Sequence, residues 1–255
     1  MSIRLTILGS GTSHGIPMIG CGCDVCTSDD ERDRRSRPSA LLDFDSRRVL
    51  IDTSPELRLQ CLRCDVRCVD AILFTHAHAD HVAGLDDVRV FNHRLGRDLG
   101  VYASEQTLEH ITTMFAYAFR KDKDYPSAKP ELTPIPIREA FDLFGRTITP
   151  IPYSHGALEV FGYRVGGIAY CPDCSFIPDA SRELLRDLDV LVLDGLRRTP
   201  HPTHFSISQA VEEARRIGAR RTYFTHIAHE LKHAETNAEL PDGMELAYDG
   251  LVCAT

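Results

Sequence analysis

Residues 75–81, Thr75-His76-Ala77-His78-Ala79-Asp80-His81, follow directly on the apolar run Ala71-Ile72-Leu73-Phe74. Three imidazoles and a carboxylate at the end of a buried strand serve no packing purpose. Desolvating such groups is costly unless something binds them, and a Zn, Mn or Fe ion suits imidazole and carboxylate together. A tight loop here turns His76 and His78, then Asp80 and His81, towards two neighbouring points. The fold is thereby constrained: this strand must end beside others that bring further ligands.

Three isolated residues stand in such places. His155 lies in Tyr153-Ser154-His155-Gly156, Asp173 in Tyr170-Cys171-Pro172-Asp173, and His226 in Phe224-Thr225-His226. Each follows a strand-like run. With the cluster they amount to three ligands, a bridge and three ligands, the complement of a two-metal hydrolase.

Short β-type runs recur at 3–8, at 40–44 and 48–52 as a hairpin around Asp45, and at 70–75, 146–152, 160–165, 167–171, 189–194 and 221–225, with a final strand pair expected in 244–254. Helices are expected from Ser54-Pro55-Glu56, over 104–119 behind a Ser104 cap, and over 206–217. Residues 14–38 lack periodicity and read as an inserted loop. The Pro-rich, charged stretch 121–138 reads as a loop or lid, and Gly9–Ser13 as a loop whose backbone N–H groups could meet substrate. Two β-rich halves with covering helices imply one α+β domain over 1–255. The 255 residues carry 29 Lys and Arg against 37 Asp and Glu, a net −8, which disfavours general polyanion binding. No run approaches the roughly 20 apolar residues of a membrane span. The N-terminus reads as a strand rather than a signal peptide, and nine irregularly spaced Cys suit free thiols or metal better than disulfides, so a cytoplasmic location is expected.

These motifs resemble the metallo-β-lactamase superfamily, whose signature is H-x-H-x-D-H after a buried strand. The resemblance implies a four-layer αββα sandwich with the site at the strand ends. It implies that His76, His78 and His155 hold one metal, that Asp80, His81 and His226 hold the other, and that Asp173 bridges them. Asp52, in Leu50-Ile51-Asp52-Thr53, matches the early Asp that supports the metal loop from behind. Two metals about 3.5–4 Å apart can share a water and lower its pKa towards ~7. Attack on phosphorus by a metal-bridging hydroxide, hydrogen-bonded to Asp80, is the chemistry implied.

Two features narrow the resemblance. Cys21-Gly22-Cys23-Asp24-Val25-Cys26 offers three thiolates, and His229, three residues beyond His226, offers a fourth ligand, closing a structural zinc site. This pattern resembles the PhnP-type cyclic phosphodiesterases of the carbon–phosphorus lyase pathway. PqqB-type proteins carry a similar cysteine cluster. His204-Phe-Ser-Ile-Ser-Gln-Ala resembles an element of the RNase Z and PhnP branch, with Ser206 or Ser208 capping the next helix and His204 binding the phosphoryl group or protonating the leaving alkoxide. RNase Z carries a long tRNA-gripping arm between the positions of His155 and Asp173; here only 17 residues (156–172) lie between them. A small, cyclic ribosyl phosphodiester is therefore expected as substrate, with two Mn or Zn ions (Fe also fits), one structural Zn, no membrane and no nucleic acid; a homodimer is compatible with this. The alternatives are a thioester or lactone hydrolase on the same fold and an RNase Z-like nuclease. Cys61, Cys64, Cys68 and Cys253 are expected to be buried small apolar residues. A redox or extra metal role for the Cys171/Cys174 pair is disfavoured, because no thioredoxin-like pattern surrounds it.

Overall fold

The computed structural model describes residues 2–121 and 128–255. The first half supplies β1 (Arg4–Gly9), β2 (Ser39–Phe44), β3 (Arg47–Ile51), β4 (Ala71–Leu73), β5 (Leu99–Ala103) and β6 (Leu132–Pro136). The second supplies β7 (Phe141–Leu143), β8 (Arg146–His155), β9 (Leu158–Val165), β10 (Ile168–Cys171), β11 (Val190–Asp194), β12 (Arg221–Thr225), β13 (Met244–Leu246) and β14 (Val252–Ala254). Among the described residues these form two sheets, in the orders β14-β1-β2-β3-β4-β5-β6 and β13-β12-β11-β10-β9-β8-β7. Strand alternation sends successive side chains to opposite faces. Leu5, Ile7, Leu42, Val49 and Ile51 pack against Ile148, Tyr163, Val165 and Val192 between the sheets. Their neighbours Leu8, Leu41 and Leu50 face outward onto Leu57, Val88, Phe91 and Leu108. On the second sheet Leu191, Leu193 and Phe224 pack with Ala210, Ala214 and Ile217 of the helix Ile207–Ile217. The layers are αββα, as the resemblance implied. No helix among the described residues is long and apolar enough to cross a membrane.

Strand direction places the site. β10, β11 and β12 run parallel, β9 is antiparallel to β10, and β8 is antiparallel to β9. β8, β10, β11 and β12 therefore all end on one edge of their sheet. At that edge the sheets are tied together: Phe161 donates its N–H to the carbonyl of Thr75 at 3.1 Å, and the Tyr163 hydroxyl donates to that of Phe74 at 2.6 Å.

Several local expectations need correction. The helix after Ser54 begins at Leu57, and Ser54 caps nothing with its side chain, because its buried hydroxyl donates to Gln60 Oε1 at 3.0 Å. The helix expected over 104–119 breaks at Phe115 (φ −118°, ψ 40°), though Ser104 caps its start as expected. Residues 132–136 of the expected loop are β6, paired parallel with β5, and its segment 122–127 lies outside the described residues. β13 and β14 are not a pair; β13 extends the second sheet and β14 flanks β1. Cys253 is buried, but Cys61, Cys64 and Cys68 are only half-buried.

Three of the five backbone donors in the Gly9–Ser13 loop are engaged within the fold. The N–H groups of Ser10, Gly11 and Thr12 bond to Asp249, Ser36 and Ile227. Its glycines serve close approach instead: a Cβ on Gly9 would stand 2.0 Å from the carbonyl oxygen of Arg37. Gly9→Ala is expected to lower stability by about 3 kcal/mol, the upper end of typical overpacking costs, read as a fall in unfolding midpoint.

Candidate metal centre

Every expected ligand of the dinuclear centre, and Asp52 behind them, emerges where a strand stops. Asp52 follows β3, His76, His78, Asp80 and His81 follow β4, His155 ends β8, Asp173 follows β10 and His226 follows β12. Asp52, Asp173 and His226 have left-handed backbones, with φ of 62°, 53° and 60°. That conformation is costly for a residue with a Cβ and persists where the surroundings impose it, often at functional sites. Here it turns the chain sharply off the strand.

The donor atoms gather in two groups. His76, His78 and His155 form one, and Asp80, His81, Asp173 and His226 the other. His76 Nε2 and His78 Nδ1 are 3.0 Å apart. Asp173 Oδ2 stands 3.1 Å from His81 Nε2, and its Oδ1 stands 3.1 Å from His226 Nε2. Asp80 Oδ2 is 3.5 Å from both imidazoles. Bonds of about 2.05 Å to a tetrahedral ion place its ligand atoms about 3.3 Å apart, which matches. Asp173 also clusters with His155 and His204, so its carboxylate stands between the two groups. His81 Nε2, His226 Nε2 and Asp173 Oδ2 are buried without a hydrogen-bond partner, an expense that a shared cation removes. This donor set fits metal ions.

The supporting bonds fix which ring nitrogen each imidazole presents. Asp52, fully buried, accepts from His81 Nδ1 at 2.7 Å, from the Thr75 N–H at 2.9 Å and from the Thr75 hydroxyl at 2.8 Å. The Thr75 hydroxyl, having donated, accepts from His76 Nδ1 at 3.0 Å. His155 Nδ1 donates to the Thr203 carbonyl at 2.8 Å. Each of these rings therefore aims Nε2 inward, and a carboxylate behind a ligating imidazole sets its tautomer and strengthens it as a donor. Burial, ahead of the charge on His81, lowers His76 well below its ordinary value, and burial lowers His155 to about 4. Both present neutral lone pairs, the form a metal needs. Burial resists charge on Asp173, but His226 and His81 outweigh it and hold the carboxyl well below its usual range.

His204 stands beside both groups. Its ring lies 4.6 Å from that of His155 and is stacked at 4.6 Å on that of His226. Its Nδ1 is 3.2 Å from Asp194 Oδ1, while Asp194 Oδ2 accepts the Phe205 N–H at 2.8 Å. Burial, ahead of the charge on His226, pushes His204 down to about 3, so the ring rests neutral at pH 7. Two residues on, Ser206 caps the following helix in a reciprocal box with Gln209, which accounts for the Ser and Gln of that segment. Asp194 was not singled out from the sequence. The signal was present, a carboxylate closing the apolar run Val190–Leu193, just as Asp52 closes Leu50-Ile51. A cavity of ≈ 200 Å³, lined in part by Thr12, Arg197, His201 and His204, opens next to this histidine. His78 is exposed, so the centre is open to solvent on that side.

The cysteine loop forms a further cluster. Cys21, Cys23 and Cys26 Sγ lie 3.2, 3.4 and 3.8 Å from His229 Nδ1, and all three thiols are free. A tetrahedral zinc with usual bond lengths separates S and N ligands by about 3.6 Å. The Cys26 N–H, foremost, lowers Cys23 to about 6, which favours thiolate.

Residues 47–227 match the β-lactamase superfamily domain. A crystal structure described as a new diphosphatase from the PhnP family is 47% identical, covers 100% of this chain and 98% of its own, and superposes with a TM-score of 0.94. The chain belongs to the PhnP family of the metallo-β-lactamase superfamily. It is a metal-dependent hydrolase of that family, and its clustered His and Asp side chains form sites suited to a dinuclear centre and phosphodiester chemistry. Among curated relatives, an octanoyltransferase of Porphyromonas gingivalis (strain ATCC BAA-308 / W83) is 37% identical over 98% of this chain but 51% of its own length. The chain thus spans about half of that relative. Coenzyme PQQ synthesis protein B of Methylobacterium radiotolerans is 27% identical, over 76% of this chain and 73% of its own.

Proposed function

We propose that this PhnP-family chain hydrolyses a small phosphodiester, a cyclic ribosyl phosphate being the favoured class, at two ions held by His76, His78 and His155 and by Asp80, His81 and His226, with Asp173 between them. The observation that carries the reading is His204, an imidazole backed by Asp194 and facing the space between the two donor groups. When bound, the ions supply a water of lowered pKa and neutralise charge on the phosphoryl oxygens. Asp80, beside His81 and His226, would help hold one ion and would accept a hydrogen bond from water at the site. Asp52 holds His81 in one tautomer. An arriving phosphoryl anion favours the charged form of His204, which then hydrogen-bonds the phosphoryl oxygen or gives its proton to the leaving alkoxide. The ions are Mn or Zn, with Fe also suited to the ligands. The chain 1–255 acts as one cytoplasmic domain, with residues 14–38 as its zinc-binding insertion, and a homodimer is compatible with this. Absence of an RNase Z-type arm and the net charge of −8 support a small substrate over tRNA.

The diphosphatase relative favours a second reading, cleavage of a P–O–P bond. A panel of a cyclic ribosyl phosphate, bis(p-nitrophenyl) phosphate, a dinucleoside diphosphate, an acyl thioester and precursor tRNA decides among them. The expected result is turnover of the cyclic and aryl diesters. Preference for the diphosphate installs the second reading, and preference for the thioester removes both.

Cys21, Cys23, Cys26 and His229 leave no open position on a tetrahedral ion, so the zinc they hold is structural. Structural zinc sites supply on the order of 10 kcal/mol of folding free energy. Cys23→Ser is expected to lower the melting temperature and soluble yield far more than it lowers metal content at the dinuclear centre. A variant that folds normally with full zinc content rules the assignment out.

A further inference from the structure

Arg35 is an arginine whose side chain has no exposure at all. Its ion pair with Asp33, also buried, spans 2.9 Å. The remaining donors do not serve its own loop alone. Nη1 donates to the carbonyl of Ala228 at 3.2 Å and Nη2 to that of Leu231 at 2.7 Å. Asp33 in turn accepts the N–H of His233 at 2.8 Å. The backbone of Arg35 pairs in both directions with Ile16, beside the cysteine cluster, at 2.8 Å each way.

The clamped segment is the one that matters to both clusters. Residues 226–231 carry His226 at one end and His229 in the middle, and they belong to neither helix nor strand. Next to His226, Ile227 bridges the first sheet's loop, donating to Ser10 and accepting from Thr12, and Ala228 donates to Leu196. Beyond that bridge, the carbonyls of Ala228 and Leu231, on either side of His229, are held by the Arg35 fork. A planar guanidinium reaches two such acceptors at fixed spacing, which a lysine ammonium cannot do.

We infer that Arg35 is a positioning residue that couples the two metal clusters, fixing the segment that delivers His226 to the dinuclear centre and His229 to the cysteine site. The inference rests on reading those clusters as metal sites. It has two consequences. Loosening the fork should weaken the ion held by Asp80, His81 and His226 more than the ion held by His76, His78 and His155, since the latter ligands lie outside the segment. Coupling is also reciprocal, so filling either cluster should raise the affinity of the other.

Cobalt(II) titration of the full chain reads both sites, because near-ultraviolet thiolate-to-cobalt charge transfer reports the cysteine cluster, and the visible ligand-field intensity left after subtracting that of the thiolate site reports the dinuclear centre. Arg35→Lys is expected to weaken one of the two dinuclear ions by about 10–100-fold, the usual effect of losing a group behind a ligand, and to leave the other unchanged. Equal weakening of both ions in step with a lower melting temperature, or no weakening in a folded variant, overturns the inference. Should Arg35→Lys not fold, the wild type decides. Pre-filling the dinuclear centre with Mn²⁺, which avoids thiolate ligands, is expected to tighten cobalt binding at the cysteines several-fold, and independent binding overturns the coupling. A wild type that shows only the thiolate band refutes the dinuclear reading itself, and the inference falls with it.

Discussion

Asp173→Ala is expected to abolish turnover, by at least roughly 10³-fold, while the chain still folds. Among the described residues, Asp173 is the one carboxylate whose two oxygens face different imidazoles, His226 and His81, at 3.1 Å each. It also groups with His155 and His204 on the other side. On the proposed assignment, alanine would remove the shared anion and leave each ion site with one ligand fewer. The two sheets do not depend on this carboxylate, since their core is the apolar layer of Leu5, Ile7, Val49, Ile148 and Val165. Metal analysis of the wild type should find about three ions per chain, two at the dinuclear centre and one at the cysteines. The variant should lose at least one of the first two and keep the third. Full activity from a wild type holding only one ion would sink the dinuclear proposal.

His204→Ala is expected to keep both dinuclear ions yet reduce turnover of alkyl phosphodiesters by roughly 10²–10⁴, the range for a lost general acid. The size of the loss should depend on the leaving group. A ribose alkoxide needs a proton as the bond to phosphorus breaks, whereas nitrophenolate leaves without one, so the defect should shrink on bis(p-nitrophenyl) phosphate. Asp194→Asn should reproduce part of the same pattern, because Asp194 touches His204 Nδ1 and not the reacting atoms. A defect of equal size on every leaving group would assign His204 to phosphoryl binding instead. No defect on any of them, in an enzyme that prefers thioesters, would remove the phosphodiesterase reading.

The sequence by itself determined the ligand types and their order along the chain. Three imidazoles and a carboxylate packed into residues 76–81 can be read without a structure, because such a density of metal-binding groups directly after an apolar run serves no packing purpose. His155, Asp173 and His226 were legible for the same reason, as polar residues closing apolar runs. The strands read as apolar runs on either side of a turn held, as in β2 and β3, which are buried on both faces over most of their length. The readings that failed were those in which a local rule met a tertiary alternative. Ser54 looked like a cap, but burial beside Gln60 gave its hydroxyl another partner. The stretch around Pro134 looked like loop, yet the open edge of β5 accepted it as a strand. The glycine loop at Gly9 looked like a substrate contact, but its donors at Ser10, Gly11 and Thr12 were consumed by other segments of the chain.

What only the tertiary structure decided is which distant residues stand behind the ligands. Asp194 lies 10 residues from His204 along the chain, and Arg35 lies 193 from Ala228. No periodicity links such pairs, because their meeting depends on how two sheets stack and where parallel strands end. Composition marks a buried charge as improbable and so offers no sign of Arg35 or Asp33 in a charged run. The physical reason is that ligand chemistry is a property of residue type, which the sequence states outright. Second-rank support is a property of direction and distance, and these exist only once the αββα layers have brought the strand ends to one edge.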